Sequence, residues 1–105
     1  MNSKAETVLA AAIRDALNSL AGVLVWREQC GQVRVRRGYM HLAPAGTPDI
    51  VGHVNGRFLA LEVKRPKGKE RPEQLVFIEK ARRAGCIVGV VRSVDEAVRI
   101  VLEAA

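Results

Sequence analysis

Acid is in short supply in this chain. Of its 105 residues, 17 are lysine or arginine and only 11 aspartate or glutamate, a formal charge of +6 at pH 7. The pI is near 10.0. Such a balance suits a polyanion, nucleic acid before an anionic membrane surface, although basic loops also serve plain solubility. The two cysteines, Cys30 and Cys86, are too few and too far apart for a zinc site or a disulfide framework. Cys86, in "CIVGVV", reads as a small buried hydrophobe, and both cysteines as reduced thiols without function. Aromatics are only 4% of the chain. Trp26, within "VLVW", and Tyr39 are therefore expected in the core before they are expected to stack on bases. No apolar run is long enough for a membrane span. The N-terminus lacks the basic-then-apolar pattern of a secretory signal, so a cytoplasmic protein is expected.

What is present is ordinary for a globular protein: 49% apolar and 27% charged residues. One domain over residues 1–105 is expected, with a modest core and no repeats, linkers or low-complexity tracts. Ser3-Lys4-Ala5-Glu6 is a capping-box pattern that opens a helix to about Leu20. Its apolar stripe is Leu9, Ile13, Ala16, Leu17 and Leu20. "GVLVWREQ" reads as a strand, and "QVRVRRGYMHL" as a second extended segment. Residues 44–48 form a loop that delivers Asp49 to a strand. Residues 49–54 and 57–64 make a hairpin around Asn55-Gly56, the favoured pair for a type I′ turn. A basic loop follows, then a helix from Pro72 to Ala84 stopped by Gly85. A buried strand over residues 86–91 and a last helix from the Ser93–Glu96 capping box to about Glu103 complete the chain. The order is roughly α-β-β-β-α-β-α. The strand–helix–strand after Arg57 implies a parallel pair, hence a mixed sheet flanked by helices.

The hairpin carries charges that a buried sheet has no use for. With a two-residue turn, Ile50 faces Leu61, and one step outward Asp49 faces Glu62 as a non-hydrogen-bonded pair. Lys64 lies two residues on and points to the same side. Directly opposed carboxylates repel, which makes sense if a positive charge sits between them. Lys64 as a simple counter-ion is the bland explanation. A divalent cation is the sharper one, because Mg²⁺ is usually held by one or two carboxylates, with phosphate and water completing its shell.

Pro48-Asp49 followed by Glu62-Val63-Lys64 resembles the PD-(D/E)XK nuclease signature. The wider stretch "GTPDIVG…GRFLALEVKRPKGK…RPEQ…AGCIVGVVRSVDEA" resembles a VRR-NUC domain of the compact stand-alone type carried by phages and bacteria. The resemblance implies a restriction-endonuclease-like core and Mg²⁺- or Mn²⁺-dependent hydrolysis of DNA phosphodiesters. Asp49, Glu62 and the backbone carbonyl of Val63 would hold the metal. Lys64 would orient or deprotonate the attacking water and offset charge on the phosphate. Gln74 heads the apolar face of its helix, where a polar amide needs a buried partner. That partner is a nearby backbone group or, as the resemblance implies, the metal and the attacking water. Glu6 is matched by an acid that reaches the metal site in related nucleases, yet a capping box with Ser3 explains it equally well.

His41 and His53 are the only histidines, and His53 reads as a surface residue near the turn, too far from Asp49 to help it. Arg27, Arg34, Arg36 and Arg37, with Arg65, Lys67, Lys69 and Arg71 of the basic loop, are candidates for phosphate contacts. Stand-alone relatives resemble Holliday-junction resolvases, so the expectation is a homodimer cutting branched DNA, with neither a membrane nor a small-molecule cofactor involved. A flap- or end-directed nuclease, a non-catalytic DNA-binding module and a purely structural protein are the alternatives.

Overall fold

The computed structural model describes residues 4–28, 32–41, 43 and 46–104. The Ser3 half of the first capping box, Cys30 and residues 44–45 lie outside them. The elements are α1 (Lys4–Asn18), β1 (Val23–Arg27), β2 (Gln32–Val35), β3 (Gly38–His41), β4 (Ile50–Val54), β5 (Arg57–Val63), α2 (Pro72–Arg83), β6 (Ile87–Val91) and α3 (Val94–Ala104). None of the described helices is long and apolar enough to cross a membrane.

Four strands form a mixed sheet in the order β1-β4-β5-β6. The β4–β5 hairpin turns at Asn55 and Gly56, both with positive φ (51° and 85°), as a type I′ turn demands. That turn fixes Ile50 opposite Leu61 and Val54 opposite Arg57. β5 and β6 run parallel, with α2 as the crossover between them. β1 closes the other side, antiparallel to β4. Asn18 at the end of α1 covers part of its free edge, its side chain both accepting from the Val25 N–H (2.8 Å) and donating to the Val25 carbonyl (2.9 Å).

Alternation along the strands divides the sheet into two unlike faces. On one, Val25, Ile50, Val54, Leu59, Leu61, Val63, Ile87 and Val91 join Ala10, Ile13 and Leu17 of α1 and Ala97 and Val101 of α3 in the buried core. The stripe expected on α1 is thus partly correct: Ile13 and Leu17 are buried, while Leu9 and Leu20 pack at the margin. The other face is covered mainly over β6, where α2 packs and buries Gln74 and Ile78. Leu24 and Trp26 lie on the uncovered part, so the expectation of Trp26 in the core fails: it is 41% exposed. Its strand sits at the sheet edge with only one face covered. His53 is exposed there as expected, its ring 6.0 Å from that of Trp26 and 6.4 Å from that of Phe58. Cys86 precedes β6 and is half-buried rather than a core residue.

The segment expected as one extended stretch departs most from the sequence reading. Residues 32–41 fold back on themselves as a separate two-stranded sheet, with Arg34 opposite Tyr39 and Arg36-Arg37 at the turn. Gly38, at φ 123°, takes a backbone conformation closed to most side chains and lets the chain reverse there.

Candidate active site

The site lies where the β4–β5 ladder ends. Beyond the Ile50–Leu61 pair, the Asp49 carbonyl accepts from the N–H of Glu28, just past the end of β1, at 2.8 Å. The Asp49 backbone therefore points toward β1 and away from β5, as a non-hydrogen-bonded partner of Glu62 must. One step further in the same register, position 48 would lie opposite Val63. A ladder residue there would accept from the Val63 N–H and donate to the Val63 carbonyl. Pro48 has no N–H to donate, and the Val63 N–H is instead taken by Asp49 Oδ2 at 3.0 Å. The proline thus withholds the usual ladder donor from the Val63 carbonyl, while the aspartate anchors itself to the same residue's amide.

Glu62 is the hub of the cluster and only 1% exposed. Its Oε2 accepts from Gln74 Nε2 at 2.8 Å and lies 3.4 Å from Lys64 Nζ. Lys64 is itself buried. The other oxygen, Glu62 Oε1, is buried without a hydrogen-bond partner. Asp49 is close enough to bond the Glu62 carboxyl once one of the pair carries a proton. Burial pushes the Glu62 carboxyl up to about 7; the Asp49 charge adds to the rise and the Lys64 ammonium opposes it. A carboxylate in that state is costly, since it is cut off from water and Lys64 and Gln74 meet only one of its oxygens.

Gln74 has the backbone partner that the sequence offered and adds a second one, the Glu62 carboxylate. Gln74 Oε1 accepts from the Arg71 N–H at 2.8 Å, satisfying a donor at the start of α2, while its amide nitrogen holds Glu62. The strand carrying Asp49 is fixed against the same helix end. A side chain at Gly46 (φ 89°) would run into the backbone carbonyl of Glu73. Only glycine lets residues 46–49 pass so close to α2.

Glu6 is buried at the head of α1, with Arg65 Nε 3.5 Å from its carboxylate. Among the described residues, no group of three or more histidine, cysteine, aspartate or glutamate side chains is placed to hold a metal. Glu6 therefore does not join Asp49 and Glu62 in a three-carboxylate cluster. Arg27 stands apart from the other basic candidates, half-buried and with its Nε lacking a partner. Arg65, Lys67, Lys69 and Arg71 are exposed along the loop that follows Lys64. Arg92 fixes that loop from the end of β6, donating to the Gly68 carbonyl at 2.7 Å and lying 3.7 Å from Glu70. Sequence reading missed Arg92, because nothing local distinguishes it from any arginine after a strand. Arg34, Arg36 and Arg37 are exposed on the β2–β3 hairpin.

A mixed sheet with α1 and α3 on one face, α2 on the other and an acid–acid–lysine cluster at the mouth of its central hairpin defines a restriction-endonuclease-like α/β fold. The chain is similar to a solved VRR-NUC domain, with a TM-score of 0.67 and 24% identity over 95% of this chain and 97% of that one. The chain therefore has the VRR-NUC fold. No protein-family model and no curated protein matches the sequence.

Proposed function

We propose that the protein is a metal-dependent nuclease that hydrolyses DNA phosphodiester bonds, acting on branched DNA as a homodimer. The observation that carries this reading is the buried Glu62 carboxylate beside Asp49: Lys64 and Gln74 both meet its Oε2, and its Oε1 has no donor. Lys64 and Gln74 both reach Oε2, so an ion pair alone leaves Oε1 unmet, and Asp49, which also accepts from the Val63 N–H, adds a second negative charge that a bound cation would offset. Two acidic oxygen donors beside a strand end suit a hard divalent cation, Mg²⁺ or Mn²⁺, which needs few protein ligands when phosphate and water supply the rest.

Asp49, Glu62 and the Val63 carbonyl would hold the cation. Once bound, it lowers the pKa of a coordinated water and polarises the scissile phosphate. The chain's own groups do the remainder. Gln74 fixes the Glu62 carboxylate and, through Arg71, ties it to the start of α2. Lys64 brings a positive charge to the same spot, where it orients the attacking water and offsets the charge growing on the phosphate. Glu6 serves better as the counter-charge that sets Arg65 than as a metal ligand. Arg65, Lys67, Lys69 and Arg71 would hold the DNA backbone, with Arg27, Arg34, Arg36 and Arg37 extending the basic surface.

Branched DNA and a dimer are supported by the basic surface and the logic that two symmetric sites cut two strands. The test is a panel of labelled four-way junction, flap and linear duplex, each with Mg²⁺, Mn²⁺ or EDTA. Paired symmetric nicks on the junction, lost in EDTA, are expected. Cutting confined to flaps or ends would keep the active site and remove the junction assignment. Metal-independent binding with no cutting of any substrate would leave a DNA-binding module.

A further inference from the structure

The β2–β3 hairpin carries none of the acid, lysine or amide side chains of the site. Its strands pair with each other and with no other strand of the main sheet. Isolated two-stranded ribbons are marginal on their own and settle when a surface meets them. In sequence the hairpin lies between β1 and β4, whose adjoining ends meet where the Glu28 N–H bonds the Asp49 carbonyl at 2.8 Å. The hairpin is therefore an arm inserted beside a proposed metal ligand.

Its surface has a definite chemistry. Between Glu28 and Asp49 the sequence contains no acidic residue. Arg36 and Arg37 form the tip, and Arg34 and Tyr39 stand directly opposite on the same face of the ribbon. Tyr39 is 63% exposed, among the most exposed of the large apolar and aromatic side chains. An aromatic ring kept in water beside arginines has little to do for the fold. Rings of this kind stack on bases, while adjacent guanidinium groups pair with phosphates. A fully paired duplex offers no base face to a ring on its outside, whereas a branch point does.

We infer that the β2–β3 arm reads branch points: Tyr39 stacks on an unpaired or end-exposed base, and Arg34, Arg36 and Arg37 hold the flanking phosphates. This deepens the nuclease reading by naming the feature of DNA that selects the substrate, and it rests on that reading only for the cut itself.

The test is a binding measurement in EDTA, where no cutting occurs, on the full chain. Four-way junctions and linear duplexes carry 2-aminopurine, which is dim when stacked, at the branch base or its paired equivalent. Wild type is expected to bind the junction roughly tenfold tighter than the duplex and to dim the branch base. Tyr39→Ala should lose both the dimming and most of that preference, with duplex binding unchanged, and Tyr39→Phe should keep both. Replacing Arg36 and Arg37 with alanine should weaken binding to both DNAs and reduce the salt slope by about two, leaving the ratio intact. No preference in wild type, or dimming and preference retained in Tyr39→Ala, would overturn the inference. So would an effect of Tyr39→Ala confined to self-association, which would make the arm a contact between protein copies. Failure of the nuclease reading shows separately, as absence of cutting with Mg²⁺ while the stacking signal persists.

Discussion

Glu62 holds the most costly charge in the molecule, and its cost has a measurable sign. Its carboxyl ionises near 7 in the metal-free fold and near 4.5 when exposed by unfolding. Below 4.5 both states are protonated and the fold loses nothing. As pH rises from there through 7, the unfolded chain sheds its proton more readily, so stability falls. The full difference is roughly 3 kcal/mol. Chemical denaturation of metal-free wild type against Glu62→Gln should therefore show wild type losing ground to the variant between pH 4.5 and pH 7, not gaining it. The same proton must leave when a cation binds, so Mn²⁺ titrated calorimetrically at pH 6.5 should release protons and bind more tightly as pH rises. Pro48 supplies a second residue-scale prediction. Pro48→Ala restores an N–H that competes for the Val63 carbonyl, and should raise the Mg²⁺ concentration needed for half-maximal cutting several-fold. An unchanged requirement would show that this carbonyl takes no part.

The central hairpin was legible because a single dipeptide determines it. Asn55-Gly56 fixes the turn, the turn fixes the register, and the register places Asp49 beside Glu62 without any further information. Gln74 was legible as an amide needing a partner: the backbone alternative is found in the Arg71 N–H, while the bond to Glu62 was not among those the sequence offered. The arm at residues 32–41 was hidden because its reversal is driven by Arg36-Arg37-Gly38, which carries none of the usual hairpin turn pairs. Trp26 misled because local apolarity says that a residue lies in a strand, not whether that strand has one face covered or two. Arg92 was invisible because its partners, the Gly68 carbonyl and Glu70, come from a distant loop. That pairing predicts a loop effect: Arg92→Ala should free residues 65–71 and weaken binding to all DNAs alike. Its thermal midpoint should fall by only a few degrees, since the pair is partly exposed. Gly46→Ala should do more, because its Cβ meets backbone at the head of α2 and the helix or the loop must shift. Lower stability and slower cutting together are the expected readout.

At the scale of the whole molecule, a charge of +6 and basic groups on both the arm and the 65–71 loop predict that the proposed DNA binding weakens steeply with salt. Plotted on logarithmic axes, binding should give a slope of about −4 or steeper, whereas a slope near −1 would mean that most of these groups touch no phosphate. Sedimentation should give twice the 11.5 kDa chain mass if two copies cooperate on one junction. The central claim is that Asp49, Glu62, Lys64 and Gln74 form a metal-dependent cutting site rather than a buried ion pair. Its most direct test compares wild type with Lys64→Ala on one labelled junction, measuring binding and Mg²⁺-driven cutting in the same samples. Binding should survive in both, wild type should cut with Mg²⁺ and not with EDTA, and Lys64→Ala should cut at least a hundred-fold more slowly, about the effect of losing one preorganised charge. Equal cutting by the two proteins, or cutting that persists in EDTA, would contradict the claim.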